Sequence, residues 1–169
     1  MREARSSVPG AGPPSAGGST TNHGPSPKVV LTLRPATVDD ADFVNSLEDI
    51  CMRDYALALW DDWVPSIEKY GFDVERHRIV VINDRDMGCI DLWQKPTFVE
   101  LNKFYLLPEA RNRGHGVTLL ERARNDADLL GLPLRLSVLT TNPRAIKFYE
   151  REGFRAIQTT PQRIVMEPA

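Results

Sequence analysis

The sequence predicts an α/β (α+β) protein, a sheet with helices packed on it. Three observations carry this. Six apolar runs have strand character: Val29–Arg34, Ile79–Ile82, Met87–Leu92, Phe98–Leu106, Leu134–Leu139 and Arg163–Glu167. Apolar residues also recur at three- and four-residue steps, through Phe43, Leu47, Ile50 and Cys51, and again through Leu119, Leu120, Ala123, Ala127 and Leu130. Finally, one stretch, Leu106 to Val117, runs from a strand end through a proline turn into a helix start that holds two glycines.

Residues 1–28 are rich in Gly, Pro, Ser, Ala and Thr, with Val8 the only large apolar residue after Met1. Such a segment buries too little surface to offset its ordering entropy, so a disordered tail is expected, with the domain spanning 29–169. Order begins at the strand Val29–Arg34. Thr37 then reads as a helix N-cap followed by Asp39 and Asp40, and the helix presents Phe43, Leu47, Ile50 and Cys51 to a core. From Tyr55 to Phe72 the periodicity blurs. Trp60 and Trp63 are expected to pack, and Asp61 and Asp62 to be solvated.

Ile79–Ile82 and Met87–Leu92 flank a four-residue polar turn, Asn83-Asp84-Arg85-Asp86, and make a hairpin. A second turn at Lys95-Pro96 leads into Phe98–Leu106. Gly131 and Pro133 end the helix that follows the glycines, and Leu134–Leu139 is a buried strand. Pro143 suits a first helical position and Gly153 lies past the last, giving a short helix with Ala145, Phe148 and Tyr149 near one side.

The stretch around Gly114 and Gly116 has a chemistry of its own. First-turn N–H groups have no partner inside a helix, and with the positive end of the helix dipole they seat phosphate oxygens. Glycines let a ligand approach the backbone, and Arg111 and Arg113 add positive charge. The stretch reads as a pyrophosphate cradle. It lacks the Lys-Ser/Thr of a P-loop, and Leu119 stands where a dinucleotide fingerprint needs its third glycine.

What stands here, Arg-x-x-Gly-x-Gly from Arg111 to Gly116, resembles motif A of the GNAT superfamily of N-acetyltransferases. Asn142-x-x-Ala145-x-x-x-Tyr149-x-x-x-Gly153-Phe154 closely resembles the family's C-terminal motif B. Leu33-Arg34-Pro35-Ala36-Thr37 before the first helix is similar to its customary opening. The resemblance spans about Val29 to Pro168. It implies a GNAT fold: a mixed, mostly antiparallel, splayed sheet of about six or seven strands flanked by about four helices, with acetyl-CoA as acyl donor. By position, the amides of Asn112, Arg113, Gly114, His115, Gly116 and Val117 would hold the CoA pyrophosphate. Backbone groups of Phe104, Tyr105 and Leu106 would pair with the pantetheine arm, the Leu106 N–H also serving the oxyanion. Asn142 would bond the arm from the far side of the splay. His115 contributes its backbone rather than its ring.

The reaction so implied moves an acetyl group from acetyl-CoA to a primary amine by direct attack in a ternary complex. A lysine-like amine, with a pKa of about 10.4, must lose a proton first, and the leaving thiolate needs an acid. Tyr149 matches the family's tyrosine acid, with simple packing or a hydrogen bond to the CoA sulfur as the alternative. Glu100 lies eleven residues ahead of Arg111, a spacing similar to the glutamate base of histone-type members. Strand alternation puts Glu100, Asn102 and Phe104 on one face. Around Leu136-Ser137-Val138 there is no carboxylate of the kind found in members that acetylate protein N-termini. The acceptor, a small molecule or a protein lysine, is left open, as is a homodimer. The alternative is a catalytically silent acyl-CoA-binding sensor.

Composition bounds these readings. The chain has 169 residues, 41% hydrophobic and 26% charged, with a formal net charge of −2, which argues against nucleic acid as a main partner. No apolar run approaches the roughly 18 residues of a membrane span. Cys51 and Cys89 have no metal-ligand spacing and read as reduced thiols, which suits the cytoplasm, and the scattered His23, His77 and His115 suggest no metal site.

Overall fold

The computed structural model describes residues 24, 25 and 27–169. The expectation for residues 1–28 therefore lies almost wholly outside the described residues. Seven strands form one sheet in the order β1-β2-β3-β4-β5-β7-β6. They are β1 (Leu31–Pro35), β2 (His77–Ile82), β3 (Arg85–Gln94), β4 (Val99–Leu106), β5 (Leu134–Leu139), β6 (Phe154–Thr159) and β7 (Arg163–Pro168). Four helices connect them: α1 (Ala41–Trp60), α2 (Ser66–Tyr70), α3 (His115–Leu129) and α4 (Pro143–Arg151). All neighbouring strands are antiparallel except β4 and β5.

Side chains alternate across β2 and sort the core into two layers. Ile79 joins Val44 and Leu47 of α1, whereas Val80 and Ile82 join Leu119, Leu120 and Ala123 of α3. Helices α1 and α2 thus cover one face, and α3 and α4 the other.

Several sequence expectations shift in detail. Helix α1 does not fade at Tyr55 but runs to Trp60, where Asp61 closes it in a left-handed conformation (φ 52°). The β2–β3 turn has two residues rather than four, because Asn83 and Asp84 both adopt positive φ, which lets Ile82 pair with Arg85. Val29 and Val30 precede the first strand; Val30 is tied instead to the side chain and backbone of Asn83. The strand β6, after Gly153, was not anticipated; its outward residues are mostly exposed, so its apolar pattern is faint. At the first helix, Thr37 donates its N–H to the Asp40 carboxylate (2.8 Å), which is also held by Arg34.

Two features of β4 position everything that follows. It pairs with β5 only through Val99, Glu100 and Leu101, against Leu134, Arg135 and Leu136. Beyond Leu101 the two strands part, and the edge of β4 from Asn102 to Leu106 has no strand beside it. This is the splay. The second feature is a bulge: Asp91 pairs with Lys103 and Leu92 with Leu101, so Asn102 is the extra residue. A bulge reverses the alternation of everything beyond it.

Candidate active site

The splay opens into a cleft of about 1630 Å³. At one end it is lined by Asn112, Gly114, Gly116 and Val117, along the middle by Phe104, Tyr105, Leu106, Asn142 and Tyr149, and at the other end by residues of α1, α2 and β4. Thr141 donates its hydroxyl to the Tyr55 carbonyl (2.7 Å), tying the β5–α4 connection to α1 across the opening.

The cradle forms because β4 ends in a short turn at Pro108–Ala110, after which Asn112 (φ 59°) and Gly114 (φ 81°) take left-handed conformations. Gly114 is the N-cap of α3 and provides no side-chain cap. The first helical turn has no acidic residue either. Among the described residues, no amide from Asn112 to Val117 donates to an acceptor; the first one satisfied is Thr118, which bonds the Gly114 carbonyl. Six adjacent donors with nothing to donate to, at a helix N-terminus beside a cleft that Asn112, Gly114, Gly116 and Val117 line, fit an anion such as a pyrophosphate. A Cβ on Gly116 would reach 3.4 Å from the Phe148 ring, so α4 closes on the helix start from above.

Arg111 departs from its expected place beside the phosphates. Its guanidinium turns inward, donating from Nε to the Leu106 carbonyl (3.0 Å) and from Nη2 to Cys51 Sγ (3.2 Å). It locks the cradle to the strand end. Arg113 and His115 lie outside the cleft lining, whereas Arg144, Lys147 and Arg151 of α4 line it. Arg144 reaches across to the Asn112 side chain (2.8 Å). These three cations were not anticipated, since a helix carrying scattered basic residues ordinarily reads as a solvated face.

Asn142 is the N-cap of α4: its Oδ1 accepts the Ala145 N–H (3.1 Å), which leaves its Nδ2 for a ligand. Tyr149 is 8% exposed and packs against Phe104, Phe148 and Phe154. Burial pushes its phenol well above the ordinary value, so it keeps its proton. Tyr105 projects to the other face and is likewise raised by burial.

Glu100 is placed differently from expectation. Because of the bulge at Asn102 it does not share a face with Phe104: Leu101 and Phe104 both pack into the core beneath α3 and α4, which turns Glu100 to the opposite side. It lies opposite Trp93, pairs with Lys95 (3.6 Å), and is not among the cleft-lining residues. Trp63 donates to Asp49 (2.8 Å) as a packed residue would, but Trp60, 41% exposed, stands at the cleft mouth rather than in the core. Asp61 and Asp62 are exposed.

On the α1 side the cleft floor carries a polar group that the sequence reading missed. Asp91, fully buried, accepts from Arg76 through both oxygens (3.0 and 2.9 Å) and from Asn102 (2.6 Å). Its neighbours across the sheet are His77 and Lys103, with Lys103 Nζ 3.2 Å from His77 Nε2. Burial holds the His77 pKa below its ordinary value. Glu48, also buried, faces the cleft from α1. Of these, Glu48 left a trace in the sequence. It occupies the fourth-residue step of the apolar stripe Val44, Leu47, Cys51, where a carboxylate is out of place.

Residues 75–156 match the family model described as an acetyltransferase (GNAT) domain. No curated protein matches the chain. Among solved structures, the chain is similar to the PaiA N-acetyltransferase of Thermoplasma acidophilum in complex with coenzyme A, with a TM-score of 0.70 and 20% identity over 82% of this chain and 98% of that one. It also resembles the ribosomal-protein-S18-alanine N-acetyltransferase of Escherichia coli (TM-score 0.64, 19% identity, 82% and 93% covered). A third is Arabidopsis thaliana Naa50 in complex with the bisubstrate analogue CoA-Ac-MVNAL (TM-score 0.57, 20% identity, 82% and 98% covered). At such identities the likeness concerns the fold, a mixed open sheet with helices on both faces. Residues 75–156 thus match the GNAT acetyltransferase domain, and the chain has the fold of these acetyltransferase structures.

Proposed function

We propose that the protein is an N-acetyltransferase that moves the acetyl group of acetyl-CoA to a primary amine by direct attack in a ternary complex. The observation that carries this is the run of six undonated amides, Asn112 to Val117, beside the same cleft as the free edge of β4 and the Tyr149 side chain, with Asn112, Gly114, Gly116 and Val117 in its lining. Phosphate oxygens would take the amides, with Arg144 and Lys147 adding charge from α4. The pantetheine arm would lie along Phe104, Tyr105 and Leu106 as an extra strand, through their outward backbone groups. Acetyl-CoA supplies the activated thioester. On the Leu106 carbonyl, Arg111 already holds one acceptor site, so pairing there relies on the neighbouring amides.

Tyr149 would assist the leaving sulfur, a reading its place in the cleft lining supports. Its raised pKa keeps it a hydrogen-bond donor across the neutral range, so it donates to the developing thiolate without being lost to ionisation. The side chain of Glu100 is turned away and tied to Lys95. Proton removal from the amine then falls to a group that faces the cleft. The free thiols Cys51 and Cys89 suit a reducing compartment, and we place the protein in the cytoplasm. No helix among the described residues is long and apolar enough to cross a membrane.

The test is amine-dependent release of free thiol from acetyl-CoA, run for wild type and Tyr149→Phe with calorimetric CoA binding alongside. Turnover lowered at least about tenfold in the variant, with binding retained, is the expected result. Tight binding without turnover on any amine would leave the sensor reading in its place.

A further inference from the structure

We propose that the acceptor is an amine that carries its own carboxylate, a zwitterion of the amino-acid type, with Lys103 holding the carboxylate and Glu48 the amine; this rests on the transferase reading above.

Lys103 is 5% exposed and lines the cleft. Its Nζ has three donor directions and, among the described residues, one acceptor, His77 Nε2 at 3.2 Å. That nitrogen accepts because the other, Nδ1, lies 2.6 Å from the Asp73 carbonyl and must carry the hydrogen. An imidazole in this tautomer neutralises nothing. The nearest carboxylate, Asp91, is 3.7 Å away, beyond hydrogen-bond reach, and its oxygens already serve Arg76 and Asn102. A buried cation whose remaining donors face a cavity is costly unless a ligand completes it.

Glu48 is the complementary case. It is 6% exposed, and its Oε2 accepts from the Ser66 N–H (3.1 Å) and hydroxyl (2.7 Å). Oε1 has no donor among the described residues, although Glu48 lines the same cavity. Both groups lie near enough to Cys89 to act on its thiol, Lys103 lowering and Glu48 raising its pKa. One carboxylate oxygen from α1 and one ammonium from β4, each incompletely bonded and lining one cavity, match a ligand bearing both charges. A polyamine would set a second cation against Lys103. A peptide N-terminus offers an amide, and no carboxylate, to the free donors of Lys103.

The test uses the full chain with acetyl-CoA. β-Alanine and the common L-amino acids would each be compared with their carboxamide and their decarboxylated amine, and with tripeptides bearing free N-termini. The expected result is a KM lower by about tenfold or more for at least one carboxylate-bearing acceptor, with kcat changed far less. Lys103→Met should bring the pair together to within about twofold while acetyl-CoA binding by calorimetry is unchanged. Equal kcat/KM within every pair, preference for amides, decarboxylated amines or peptides, or a preference that survives Lys103→Met would each overturn the proposal. Should Lys103→Met fail to fold by circular dichroism, the wild-type pairs alone decide. If no acceptor releases thiol at all, the transferase reading fails. The pocket is then judged by calorimetry of the amino acids themselves: binding that their carboxamides lack supports it, and no binding overturns it.

Discussion

Replacing Asp91 with Asn would expose how much of the domain's stability rests on one buried charge. Asp91 has no exposed surface, and its carboxylate takes three hydrogen bonds of 2.6 to 3.0 Å while lying 3.7 Å from both Lys103 Nζ and His77 Nε2. Desolvation acts against the charged form, yet the donors and cations around it outweigh that and hold its pKa below the ordinary carboxylate value. The Asn variant keeps the shape but removes the charge, leaving Arg76 and Lys103 to face each other. Breaking a buried pair by removing one partner costs about 3–5 kcal/mol. Arg76 is partly exposed and has Asp73 within 3.8 Å, so it can relax; Lys103 cannot, which sets the expectation at the lower end, about 3 kcal/mol. For a chain of this size that is a fall in Tm of about 6–12 °C. Asp86→Asn, which removes an exposed partner of Arg34, is the control and should cost under about 1 kcal/mol. Thermal and urea unfolding of both variants measures this. A loss for Asp91→Asn no larger than for Asp86→Asn would refute the reasoning, because the cluster would then be solvated.

Further expectations concern the cradle, the base and pH. Gly114→Ala should weaken CoA binding by calorimetry about tenfold, because a left-handed residue at φ 81° costs a side chain roughly 1–2 kcal/mol and shifts the amides, although a Cβ there meets no atom. Glu100→Gln should change kcat/KM less than about twofold, since the side chain is paired with Lys95 outside the cleft; a loss comparable to that of general-base removal, about a hundredfold or more, would restore it as the base. For His77 the sign follows from a folded pKa below the ordinary 6.5: the unfolded chain takes the proton first, so its contribution to stability is complete above about pH 6.5 and is lost as pH falls toward the folded value. Urea midpoints measured between pH 7.5 and 4.5 should fall through this window, and less so in His77→Gln.

Much of the fold was legible because its strands and helices repeat at different periods and are punctuated by Gly and Pro. The cradle was readable for the same reason that it works: glycines and a proline mark a backbone-built site, and backbone sites need no particular side chain. What could not be read depends on register. A single extra residue, Asn102, moves Glu100 to the opposite face from Phe104, and no local pattern announces a bulge. Arg111 carries the charge expected of a phosphate ligand, but whether a long side chain turns in or out is decided by the Leu106 carbonyl and the Cys51 sulfur that it meets. The group around Asp91 draws residues from three neighbouring strands, so only the pairing of His77 with Asp91 and of Asp91 with Lys103 assembles it. Of this group only Glu48 carries a local signal, a carboxylate at the fourth-residue step from Val44, and that signal was passed over.

The central claim is that CoA is held by the backbone at the start of α3 and along the free edge of β4. Titrating acetyl-CoA into isotope-labelled protein and following backbone amide resonances tests it directly. The account predicts that the largest shifts fall on Asn112 to Val117, with a second group at Phe104 to Leu106. Shifts confined to other parts of the molecule, or none at saturating acetyl-CoA, would contradict it.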